Sequence, residues 1–172
     1  MSTDWVCLFD KRLSDEILSL ATADLADFLQ PRLHELASFS EFICGFAEEI
    51  PAPVRLSQLR QQGRTEEQLK CDVVQSLCIS SDPLYLDYWG CYAEVFIGDP
   101  PGSIPESELF PHLKEQRYLL LRSDHVDLML ASLESHRAEV VVMSDANVSL
   151  LRNWRDQCGQ DTGKMVAYFF SY

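Results

Sequence analysis

Near the end of the chain, three apolar runs of strand length alternate with two stretches of helical spacing. The runs are Arg117-Tyr-Leu-Leu-Leu-Arg122, Ala138-Glu-Val-Val-Val-Met143 and Lys164 to Tyr172. Between them, Val126, Met129, Leu130 and Leu133, then Val148, Leu151, Trp154 and Cys158, fall on one face of a helix, with Gly159 or Gly163 able to end the second. A strand-helix-strand-helix-strand order normally closes into a parallel sheet with right-handed crossovers. The expected fold class is therefore α/β or α+β, with a helical N-terminal half packed on a small, mainly parallel sheet. Its strands are predicted near 117–122, 138–143 and 165–171. A weak echo at a spacing of 21 residues supports two copies of one βα unit: Leu-Leu-Arg-Ser123-Asp124 aligns with Val-Val-Met-Ser144-Asp145, and Leu130 with Leu151.

Ahead of this unit the pattern is mostly helical. Ile17, Leu18, Ala21, Leu25, Phe28 and Leu29 share a face, with Ser14 as the expected cap and Pro31 as the stop. Leu33, Leu36, Ala37, Phe42, Ile43, Phe46 and Ile50 predict a second helix ended by Pro51 and Pro53, and the two are expected to pair as a hairpin. Residues 54–63 predict a short helix ending at Gly63. Thr65-Glu-Glu-Gln68 has the capping-box form and predicts a helix from about Glu66 to Cys78. Trp5 to Phe9 fits a strand or a tucked-in tail. Tyr85, Tyr88, Trp89, Tyr92 and Phe96 recur at helical spacing, although Tyr92 to Ile97 reads equally as a strand, and Gly98-Asp-Pro-Pro-Gly102 forces a loop. A length of 172 residues fits one domain, 1–172, with a helical part over about 1–115 and the βαβαβ part over about 116–172.

Charge narrows the choice of partner. The net charge of −13 repels phosphate backbones and anionic headgroups, so neither nucleic acid nor a membrane is expected as a partner and a basic protein is. Residues 82–115 concentrate this charge: Asp82, Asp87, Glu94, Asp99, Glu106, Glu108 and Glu115 meet one base, Lys114, giving −6 of the −13. The same stretch carries the ring-rich segment. Tyr and Trp bury much area at low entropic cost, and an acidic rim selects a basic partner. The plainer alternative makes the rings core and the acids their solvated edge.

The six cysteines show no Cys-x-x-Cys and read as reduced thiols. The first residues lack a cationic start before an apolar core, and no run approaches the roughly 20 residues that span a bilayer, so a cytoplasmic protein is expected. His34-Glu35 opens like a zinc-protease helix, but position 38 is Ser where a second His is needed. Gly159 to Lys164 is one residue short of a phosphate loop and lacks the Ser or Thr after the lysine. His112, His125 and His136 have no ligand spacing with any cysteine, so no metal or other cofactor is expected.

The Ser-Asp pairs carry the main chemical alternative. Strand ends are where α/β sheets bind ligands, so Asp124, Asp127 and Asp145, with His125 beside them, form a candidate Mg²⁺ or phosphate site of a small α/β enzyme. Serine at a helix cap followed by aspartate in the first turn accounts for both pairs without a ligand. The leading expectation is thus an acidic inhibitor of a basic toxin or nuclease, with a regulatory adaptor as the other alternative. Bacterial immunity proteins and antitoxins share this overall character. Its partner-binding residues would be Asp87, Tyr88, Trp89, Glu94, Asp99, Glu106 and Glu108, the two rings as anchors and the acids as steering charges.

Overall fold

A computed structural model describes residues 3–35, 50–79, 84–87, 110–111, 118–135 and 144–169. The chain divides into two compact units, one made of residues 1–9 and 81–172, the other of residues 10–80.

The first unit holds a sheet. Its strands are β1 (Thr3–Asp10, whose last residue belongs to the second unit), β2 (Leu84–Asp87), β3 (Phe110–Pro111), β4 (Tyr118–Leu121) and β5 (Lys164–Phe169). Their order across the sheet is β2-β1-β5-β4-β3. Trp5 to Phe9 is therefore strand, and Tyr85 lies on a strand where helical spacing placed it on a helix. The expected parallel sheet is overturned: β4 and β5 are direct neighbours and antiparallel, with Leu119 opposite Tyr168 and Leu121 opposite Val166. The pairs β1–β2 and β3–β4 are antiparallel too. Two helices, α5 (Ser123–Ser135) and α6 (Asp145–Gln160), join β4 to β5. The antiparallel register is what sets β5 against the direction of β4, where the parallel reading required both to run the same way. The run expected as a strand at 138–143 lies outside the described residues. The expected helical part over about 1–115 is corrected as well, since it contains β1, β2 and β3.

Alternation places the core. Val6 and Leu8, Leu121, and Val166 and Tyr168 join Val126 and Met129 of α5 and Leu151, Trp154 and Cys158 of α6 in one buried cluster. The intervening residues Cys7, Phe9, Leu120, Met165 and Ala167 are buried as well, so these three strands are covered on both faces.

The second unit is helical: α1 (Lys11–Ser19), α2 (Leu25–Leu29), α3 (Ala52–Gln61) and α4 (Glu66–Leu77), with 3₁₀ turns at Thr22–Asp24 and Gln30–Glu35. The first expected helix is broken and differently capped. Asp10, extended at the end of β1, accepts from the Leu13 N–H at 2.9 Å and starts α1 four residues early, leaving Ser14 buried inside it. Leu20 turns extended and ends α1. Pro31 does not stop the chain, because it sits in the first turn of a 3₁₀ segment where no N–H is needed. Most of the second expected helix lies outside the described residues. The helix expected over 54–63 is α3, ended by Gly63 at φ +92°, with Gly63 N–H on Arg60 O and Arg64 N–H on Leu59 O, both 3.0 Å. The capping box is present in both halves: Gln68 N–H on Thr65 Oγ1 at 3.2 Å and Thr65 N–H on Gln68 Oε1 at 3.0 Å.

Candidate functional site

Of the residues expected to hold a partner, Asp87 ends β2 opposite Thr3, and its side chain lies outside the described residues. So do Tyr88, Trp89, Glu94, Asp99, Glu106 and Glu108. The strand-end carboxylates Asp124, Asp127 and Asp145 lie within the described residues.

β4 delivers the chain to α5 through Arg122, whose carbonyl accepts the Val126 N–H at 3.0 Å. Ser123 is consequently the first residue of the helix and not its cap, which breaks the likeness to Ser144. Ser144 is a cap, its Oγ accepting the Asn147 N–H at 3.2 Å. Arg122 folds over the start of α5 and forks onto Asp124, with Nε–Oδ1 and Nη2–Oδ2 both 3.0 Å. Its Nη2 also lies 3.0 Å from Nε2 of His125, a fully buried residue, while Nδ1 of that ring is 3.4 Å from the Arg122 backbone nitrogen. The guanidinium bond holds the Asp124 carboxyl below its ordinary value, with smaller help from the nearby His125 and Arg122 charges and slight burial acting against it.

Asp127, one turn on, accepts from Arg155 Nη1 of α6 at 2.9 Å, and the same guanidinium reaches Asp156 Oδ1 from Nε at 2.9 Å. Asp145 lies in the first turn of α6 and is exposed. The hydrophobic and capping patterns of the sequence do not single out the two arginines. Arg122 stands two residues from the acid it binds, but Arg155 is 28 positions from Asp127, a separation no local spacing signals. Two of the three carboxylates already have a guanidinium beside them, which offsets the negative charge a divalent ion would be drawn to. Among the described residues no group of three or more His, Cys, Asp or Glu is placed to hold a metal ion.

The second unit has its own buried charge. Asp72, only 7 % exposed, is bound by Arg64 through Nε at 3.1 Å and through Nη2, and its carbonyl accepts the Ser76 hydroxyl at 2.8 Å. Burial raises the Asp72 carboxyl, more than the Arg64 bond and charge lower it. Lys70 donates to the carbonyls of Leu18 (3.2 Å) and Leu20, satisfying the end of α1 from α4. Cys7, Cys71, Cys78 and Cys158 are in no disulfide and are buried. Burial pushes Cys7 and Cys78 up strongly and Cys158 up to about 11, so none is an activated nucleophile where a rise is resolved.

Among the described residues no helix is long and apolar enough to cross a membrane. Comparison with protein-family models, with curated proteins and with solved structures finds no match.

Proposed function

We propose that this chain is a cytoplasmic, acidic protein-binding inhibitor, of immunity-protein or antitoxin character, that neutralises a basic toxin or nuclease by covering its active site. One observation carries the reading: the sequence of residues 82–115 holds seven acids, one lysine and six aromatic residues. Clustered carboxylates raise the association rate with a basic surface and make it fall with salt, while buried rings slow dissociation. The arginine-bound state of Asp124 and Asp127 turns the choice away from a metal-dependent enzyme.

The test is to titrate the wild type and the triple variant Asp99→Lys, Glu106→Lys, Glu108→Lys against the product of the adjacent gene, at low and at high salt. The triple variant is expected to associate at least tenfold more slowly at low salt and to lose most of the salt dependence. Equal binding by both proteins, with the same weak salt dependence, would leave the acidic stretch a solvated surface and sink the inhibitor reading.

A further inference from the structure

β1 and β2 are neighbouring antiparallel strands, Thr3 opposite Asp87 and Val6 opposite Leu84. Strands so paired are usually joined by a loop of about two to five residues. Here the connection holds residues 10–80, the whole of the second unit. Its two ends are tied together, since the Asp10 N–H donates to the Cys78 carbonyl at 2.8 Å, and the chain leaves and returns at one point. Inside that neck the first and last helices are fastened to each other by Lys70, which reaches from α4 to the end of α1. Ile17, Leu25, Leu29, Leu56, Leu69 and Val73 give the segment its own fully buried apolar positions.

We propose that residues 10–80 are an inserted module, closed at the Asp10–Cys78 neck, that opens and closes as a cooperative unit separate from the strands flanking it. The inference does not depend on the inhibitor reading. Loop closure supports it: a long insertion whose ends meet costs little more entropy than a short one, so a hairpin tolerates a folded unit at its tip.

The full chain tests it through its own cysteines, which react only when their surroundings open. Cys71 and Cys78 report on the module, Cys158 on the sheet unit. Leu69→Ala is expected to speed alkylation of Cys71 and Cys78 by roughly a hundredfold while leaving Cys158 unchanged, and Leu151→Ala to do the reverse. The wild type labelled in rising urea, where no variant has to fold, is expected to show two separate midpoints. A single shared midpoint, or a parallel rise at all three thiols in either variant, would show that the chain opens as one body and overturn the proposal.

Discussion

The two units handle charge in opposite ways. In the sheet unit the ion pairs stay in solvent, with the side chains of Asp124 and Asp127 62 % and 57 % exposed, while the interior is built around Trp154 and Tyr168. In the helical unit a carboxylate is taken inside, the Asp72 side chain being 10 % exposed, and a lysine is spent on the carbonyls at the end of α1. Helix length accounts for the difference. Helices α1 to α4 have 9, 5, 10 and 12 residues, and segments under about 12 to 15 residues are marginal alone. Short helices leave a large share of their backbone groups at unsatisfied ends, so the unit needs polar fasteners. α5 and α6, with 13 and 16 residues laid on a sheet, are held by apolar area instead.

The largest effect is expected where the sheet unit keeps its bulkiest buried ring. Trp154 is 2 % exposed and packs in the cluster that joins α5, α6 and four strands. Trp154→Ala should cost about 3–5 kcal/mol, seen as a lower urea midpoint by circular dichroism and faster alkylation of Cys158. A loss under about 1 kcal/mol would mean that this core is not what holds the unit.

A second contrast is set by pH. Burial raises the Asp72 carboxyl in the folded chain, so the folded state binds that proton more tightly than the unfolded one. Asp72's contribution is fully present below its unfolded value of about 4 and is lost as pH rises through the folded value. Arg64→Ala removes both lowering influences and leaves a buried carboxylate without its cation. With the Arg64 side chain 40 % exposed, the expected cost is about 1–3 kcal/mol near pH 7, shrinking towards about pH 3 as Asp72 takes up a proton. Denaturation curves at several pH values check the sign. A deficit that is constant across this range would show that Arg64 acts through packing and not through charge.

These fasteners also mark where the sequence was legible. The capping box at Thr65 and Gln68, the glycine stop at Gly63 and the apolar runs of β4 and β5 are local signals, and each element stands where its residues predicted it. Strand direction was not legible, because a run such as Tyr118-Leu-Leu-Leu121 pairs equally well either way. Direction is decided by which strands become neighbours, and the pairing of β4 with β5 is a contact between segments more than 40 residues apart that no local pattern signals. Among the candidate site residues, Asp124 and Asp127 were visible as helix-start acids. Of their arginines, Arg122 lies only two residues from Asp124 and was open to local reading, whereas the Arg155–Asp127 pair between α5 and α6 depends on how the helices pack. The buried Asp72 left no trace in the apolar pattern, which scores it as one more polar position on a helix.

The smallest expected effects come from two of the side-chain caps, a device both units use. Thr65 starts the 12-residue α4 and Ser144 the 16-residue α6, each accepting one backbone N–H at 3.2 Å. Thr65 has the second bond of the box, from its own N–H to Gln68, and its helix has fewer internal hydrogen bonds to fall back on. Ser144 opens a helix already fixed by Leu151, Trp154 and Cys158. Thr65→Ala is therefore expected to cost about 1 kcal/mol and Ser144→Ala about 0.5 kcal/mol. The first should appear as faster labelling of Cys71 and the second as faster labelling of Cys158. If Ser144→Ala proves the costlier of the two, apolar packing does not substitute for capping in the sheet unit, and helix length is the wrong explanation for how the two units differ.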